Sequence, residues 1–127
     1  MPSDEQLMRD ALRLAKRARG ETSPNPLVGA VLAKRGNIIG RGWHRRAGLP
    51  HAEVEAIADA KRKGNPTKGA TLYVTLEPCP MCAQAISLAR IRRLYYGASD
   101  SKGGGVAHGP AIFDQPTCHH RPEVYGG

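Results

Sequence analysis

Thr71-Leu72-Tyr73-Val74-Thr75-Leu76-Glu77-Pro78-Cys79-Pro80-Met81-Cys82-Ala83-Gln84-Ala85-Ile86-Ser87-Leu88-Ala89 is the stretch that decides the fold. Its first six residues are β-branched, aromatic or aliphatic, the composition of a strand. Pro80 fixes φ near the helical value and gives up an N–H that a first helical turn leaves unpaired anyway, so a helix is expected from Pro80 through Ala89. Arg93-Leu94-Tyr95-Tyr96-Gly97 then supplies another strand, and strand, helix, strand is the pattern of a parallel crossover. Cys79 and Cys82 fall on the first turn of that helix. Three residues apart, they share a face, and the positive end of the helix dipole favours the thiolate that binds metal.

Working outward, Pro50 precedes the helix-forming run Ala52, Val54, Ala56, Ile57, Ala58 and Ala60, which His51 and Glu53 open. Leu27 to Lys34 and Asn37 to His44 are apolar runs joined at Arg35-Gly36-Asn37, a hairpin signal. At the N-terminal end Ser3 and Gln6 have the spacing of a capping box. Leu7, Ala11, Leu14, Ala15 and Ala18 follow as an apolar helical stripe that ends at Gly20. Glu123-Val124-Tyr125 adds a short last strand. The expectation is an α/β fold in one domain over residues 1–127: a three-layer α/β/α sandwich whose mixed central sheet has four to five strands. Ser101-Lys102-Gly103-Gly104-Gly105-Val106 reads as a flexible loop, and without strand-then-helix context it is no phosphate-binding fingerprint. No internal repeat is present.

At 127 residues and 40% hydrophobic content the chain suits one core, burying roughly two thirds of its unfolded surface. No apolar run approaches the ~18 residues of a membrane span, and Met1-Pro2-Ser3-Asp4-Glu5 is polar and acidic, so a cytoplasmic protein is expected. Three cysteines fit that compartment better than a disulfide framework does. The net charge of +8 favours a polyanionic or phosphorylated partner. It is clustered in Arg41/Arg45/Arg46, Lys61/Arg62/Lys63/Lys68, Arg90/Arg92/Arg93 and Arg13/Lys16/Arg17/Arg19. Basic helix faces also serve solubility alone, and scarce aromatic residues argue against a base-stacking platform.

His51, Cys79 and Cys82 can fill three corners of a tetrahedral zinc site, and a catalytic zinc keeps the fourth corner for water. Zinc lowers the pKa of such a water from ~15.7 to roughly 7. Glu53, two residues from His51, is placed to take the water's proton and carry it to a leaving group, as general base and then general acid. A lone Cys-x-x-Cys also fits a redox pair, and a structural zinc would need a fourth ligand, for which His44 is the candidate. Cys118-His119-His120 are adjacent on an extended segment, so their side chains point to opposite faces and make a poor second metal site.

His-x-Glu followed by Pro-Cys-x-x-Cys is a signature of zinc-dependent nucleobase deaminases, and over nearly its whole length the chain resembles the cytidine deaminase superfamily. Thr75 through Cys82, Ala89-Arg90-Ile91-Arg92-Arg93, Gly97 through Lys102 and Pro116 through Val124 resemble bacterial tRNA-specific adenosine deaminases. Ser23 through Val31, and Gly42 through Gly48 running into His51-Ala52-Glu53, are more similar to riboflavin-pathway pyrimidine deaminases. The short spacing between Cys79 and Cys82 sides with the first group.

The resemblance implies zinc on His51, Cys79 and Cys82, with Glu53 as proton shuttle. It also implies backbone around Ala52 and Cys79 against the base, Asn25 and His44 against base or sugar, and Asp100 with Lys102 near flanking nucleotides. Turn chemistry between two prolines also accounts for Asn25, a strand-end position for His44, and an exposed turn for Asp100. His44 stands where tRNA deaminases carry asparagine, and Gly127 where they continue into a final helix, which predicts an altered base pocket and RNA grip. Adenosine-to-inosine conversion in a tRNA anticodon loop is the substrate reading this favours. A small base, nucleoside or phosphoribosyl pyrimidine is the alternative, and a non-catalytic zinc-stabilised RNA-binding module the remote one. A homodimer is implied as well.

Overall fold

Ser3 accepts a hydrogen bond from the Gln6 N–H (3.1 Å), and the Gln6 side chain accepts one from the Ser3 N–H (2.8 Å), closing the capping box that starts helix α1, Asp4–Ala15. In this computed structural model, which describes residues 2–18 and 27–127, α1 runs on as a 3-10 turn over Lys16–Ala18. Gly20, the expected stop, lies outside the described residues.

Strands β1 (Gly29–Lys34) and β2 (Asn37–Trp43) pair antiparallel, with Lys34 opposite Asn37. Arg35 and Gly36 turn the corner at φ 53° and 79°. Positive φ at both central residues is what a two-residue type I′ hairpin requires, and it matches the right-handed twist of the strands. The strands are shorter than the apolar runs suggested, beginning at Gly29 and ending at Trp43. The ladder nevertheless reaches one bond further, because the His44 N–H donates to the Val28 carbonyl at 3.0 Å.

Helix α2 (Ala52–Arg62) leads to β3 (Thr71–Leu76), α3 (Pro80–Leu88) and β4 (Arg93–Ala98), and β5 (Glu123–Tyr125) completes the sheet. The strand order is β2-β1-β3-β4-β5, with β1 antiparallel to β3 and the last three strands parallel. The architecture is therefore the mixed, two-faced α/β sheet the sequence suggested.

Alternation along β1 builds both cores. Val31 and Ala33 meet Tyr73 and the α1 residues Leu7, Ala11 and Leu14 on one face. Ala30 and Leu32 join Leu72, Val74, the alanines and Ile57 of α2, and Ala83 and Ile86 of α3 on the other. Helix α2 lies on β2 almost backbone to backbone: a Cβ on Gly42 would stand 2.4 Å from the Ala52 carbonyl oxygen. Only glycine permits that approach, and it fixes the end of α2 that carries His51 and Glu53.

The C-terminal segment is tied down by hydrogen bonds. The buried Ser87 hydroxyl donates to the His120 carbonyl and accepts from the His120 N–H, both at 2.8 Å. Cys118 lies 3.6 Å from the same hydroxyl, Arg90 reaches His119 at 3.2 Å, and the His120 imidazole donates to the Ile91 carbonyl at 3.0 Å. Cys118, His119 and His120 thus dock the approach to β5 and do not converge as metal ligands. In register across β3, β4 and β5, Tyr73, Tyr95 and Tyr125 stack at centroid separations of 5.0 and 4.8 Å. Among the described residues no helix is long and apolar enough to cross a membrane.

Candidate metal centre and active site

His51 and Cys79 occupy the same structural position, the residue just before a helix, in extended conformation at φ −72° and −69°. Pro80 follows Cys79 and biases it away from helical dihedrals. Cys82 sits one turn into α3, and Glu53 is the second residue of α2. The sequence placed both pairs at helix starts, and the fold brings the two helix ends together.

His51 Nδ1 lies 3.5 Å from Cys79 Sγ and 3.4 Å from Cys82 Sγ, and the three ligand atoms all lie within 4.8 Å of one another. A tetrahedral zinc with Zn–N near 2.05 Å and Zn–S near 2.3 Å requires N···S separations of about 3.6 Å. The donor set and its spacing fit the ion. Among the described residues this is the one such cluster of three or more.

Electrostatics mark the same place. A hydrogen bond from Cys82 holds the Cys79 thiol down at about 5, against the opposing pull of burial, while Cys82, as donor and buried, is pushed up. Two thiols sharing one proton at this spacing are a site where a cation can replace that proton. Glu53 is 3% exposed, and burial raises its carboxyl to about 7, with the neighbouring Cys79 adding to the rise. A carboxyl near neutrality can both take and give a proton at physiological pH.

The cavity above the cluster measures about 150 Å³ and is lined by His44, His51, Glu53 and Cys79, with Val28, Leu76, Glu77, Asp100 and Gly103 completing the wall. That is smaller than the ~300–1,000 Å³ that encloses a drug-sized ligand, a size suited to about one planar ring. His44 is 3% exposed, its Nδ1 lies 3.2 Å from the Pro50 carbonyl, and its ring meets His51 edge-on at 5.2 Å. Its place is the pocket wall; the donor cluster does not include it. Ala52 is fully buried between His51 and Glu53, and Lys102 is exposed on the loop that carries Asp100. Asn25 lies outside the described residues. On the α1 face of the sheet, the guanidinium groups of Arg45 and Arg17 stand 4.0 and 4.9 Å from the Trp43 ring, a cation–π cluster.

One participant escaped the sequence reading. Glu77, quoted there only as part of a motif, is buried and gathers the loop that walls the pocket. Ser101 to Val106 is consequently not the flexible loop expected. Gly104, Gly105 and Val106 are buried, and the glycines serve close approach.

A mixed sheet with a His/Cys/Cys cluster and a buried glutamate at its helix ends is the arrangement of a zinc hydrolase, and the family match makes it a deaminase of nucleobases. Residues 1–98 match the family model described as the cytidine and deoxycytidylate deaminase zinc-binding region, and the chain belongs to that family. It is 52% identical over 117 residues to the tRNA-specific adenosine deaminase of Agrobacterium fabrum (strain C58), covering 87% of this chain and 76% of that protein. It is also 50% identical over 103 residues to the riboflavin biosynthesis protein RibD of Aquifex aeolicus, covering 76% of this chain but 28% of that longer protein. A solved structure from a study of A-to-I editing by tRNA deaminases at the wobble position superimposes at a TM-score of 0.86 with 48% identity, covering 97% of this chain and 98% of that one.

Proposed function

We propose that this chain hydrolytically deaminates adenosine to inosine in a tRNA anticodon loop, with His51, Cys79 and Cys82 holding zinc and Glu53 shuttling protons. The observation that carries the reading is the buried Glu53 beside the three-ligand cluster at the floor of a one-ring cavity. When bound, the ion supplies a water acidic enough to act as nucleophile at neutral pH. Glu53 takes a proton from the water that adds at C6, delivers it to ring N1, and passes a second proton to the departing amine. Ammonia leaves and the carbonyl of inosine remains. His44 and Asp100 line the wall that would orient the ring, and Asn25 is proposed as a further contact. Ala52 would hold the base through its backbone.

The RNA half of the proposal rests on likeness to the Agrobacterium enzyme and on the +8 charge. A base splayed from a loop suits a cavity of about one ring's size. His44 and the likeness to RibD favour the second reading, deamination of a small phosphoribosyl pyrimidine. The test is ammonia release by zinc-loaded protein on a tRNA anticodon stem-loop carrying a wobble adenosine, and on a panel of free bases, nucleosides and the riboflavin-pathway pyrimidine. Turnover confined to the RNA and falling steeply with salt is expected. Turnover on a small molecule alone would transfer the assignment to the second reading, and none at all would leave the non-catalytic RNA-binding module.

Residues 1–127 are proposed to act as one deaminase domain, in the cytoplasm and as a homodimer. Val54, Ile57, Ala58, Ala85, Leu88 and Ala89, with Lys61, line a mostly apolar groove between α2 and α3, and Leu88 and Met81 of α3 are 57% and 59% exposed. Apolar surface of this kind is what self-association buries. Light scattering at micromolar concentration is expected to return twice the chain mass; a monomer would refute the dimer.

A further inference from the structure

The Glu77 carboxylate is fully enclosed, its side chain 0% exposed, yet it receives four backbone N–H groups and one imidazole. Oε1 accepts from the Asp100 N–H at 3.1 Å and from His108 Nδ1 at 2.7 Å. Oε2 accepts from the N–H groups of Val106, Ala107 and His108 at 3.2, 3.0 and 3.2 Å. Both ends of one loop, 23 and 31 residues away in sequence, thus converge on a single anion. Five donors are directed at its two oxygens, so the group serves as an acceptor on both, as a carboxylate does.

The loop is built to reach that anion. A Cβ on Gly104 would stand 2.3 Å from Glu77 Oε2 and 2.5 Å from the Asp100 carbonyl. The Gly104 N–H closes onto Asp100 O at 3.0 Å and the Gly105 N–H onto Pro78 O at 2.8 Å. Asp100 in turn accepts from the Lys102 and Gly103 N–H groups at 3.1 and 2.9 Å. Asp100 and Gly103 are wall residues of the cavity.

We propose that Glu77 is a positioning residue for substrate: its enclosed carboxylate folds the 99–108 loop and so sets where Asp100 and Gly103 meet whatever enters the pocket. The inference rests on the deaminase reading above. Although Glu77 is a wall residue, its side chain has no exposed surface and its two oxygens are taken up by the loop, so the carboxylate acts through that loop and not by contact. A chain that needed only to bury this loop would use apolar side chains. An anion with this many directed donors fixes one conformation instead.

The experiment compares wild type with Glu77→Gln and Gly104→Ala on whichever substrate of the panel wild type turns over. Glu77→Gln turns an acceptor into a donor among N–H groups, while Gly104→Ala keeps the charge and pushes the loop off it. For each, KM is expected to rise between about ten- and a hundredfold while kcat stays within about threefold. Zinc content should remain one per chain, and the double variant should be no worse than the poorer single. An unchanged KM, a loss confined to kcat, or loss of zinc in a folded variant overturns the proposal. Should Glu77→Gln fail to fold, Gly104→Ala decides in the same terms. Amide exchange separates this inference from the activity it rests on. If wild type turns over nothing, the deaminase reading fails, and Glu77→Gln must still lose protection at Asp100, Val106, Ala107 and His108 while α3 keeps its own; retained protection at those amides refutes the role.

Discussion

Glu53→Gln is expected to lower kcat by about 10²–10⁴-fold while zinc still binds one per chain. The size of the loss follows from one group serving twice. In the proposed mechanism Glu53 would take the proton from water and return protons to the ring and the leaving amine, so its removal would deprive both halves of the reaction. Glutamine matches the shape and keeps the packing of a residue only 3% exposed, and it is not one of the three clustered donors. A second consequence has the opposite sign. Burial raises the Glu53 carboxyl from 4.5 to about 7 in the zinc-free protein. Between those values the folded state holds a proton that the unfolded state has lost, so stability falls as pH rises through the window. Glutamine carries no such penalty, and the zinc-free variant should exceed wild type above pH 7 by up to about 3 kcal/mol. Chemical denaturation at pH 5 and pH 8, alongside single-turnover deamination, checks both signs. A variant that retains turnover removes Glu53 from the chemistry, and one no more stable at high pH removes the strained buried carboxyl.

The parts of this protein that were legible in sequence are those whose cause is local. Arg35-Gly36 turns the hairpin because two residues with positive φ suffice. Pro80 starts α3 because a proline at the first helical position costs nothing, and His51, Cys79 and Cys82 could be grouped because each stands at a predictable helix end. Glu77 was not legible, since nothing near it in the chain explains a buried acid; its donors arrive from 23 to 31 residues away. The glycines at 103–105 misled for a related reason. Glycine marks both freedom and close approach, and only the carboxylate and proline backbone they pack against tell the two apart. His44 lay between these cases. Its strand-end position could be read, but its placement on the pocket wall depends on the loop that returns through Pro50 to His51.

Removing zinc is expected to abolish deamination and to lower the melting temperature, and the same is expected of Cys82→Ser and His51→Ala even with zinc in excess. The three ligands come from two separate helix starts, so the ion would cross-link α2 to α3 at their N-terminal ends. An ion that binds only the folded chain adds about 4 kcal/mol of stability at a thousand times its dissociation constant, which for a domain of this size corresponds to a rise of more than about 10 °C. Without zinc, the cluster retains only the weak N···S contacts and the proton shared between Cys79 and Cys82. Cys82→Ser is the sharper variant. Its oxygen nearly preserves the packing of a fully buried side chain while replacing a soft thiolate by a hydroxyl that does not ionise near neutrality. A loss of the zinc-dependent rise without loss of the zinc-free fold would therefore report ligation itself. Calorimetric scans of wild type and both variants, with chelator and with zinc, give the result. If Cys82→Ser keeps the full zinc-dependent rise, Cys82 does not bind the metal, and the opening of α3 has been read wrongly.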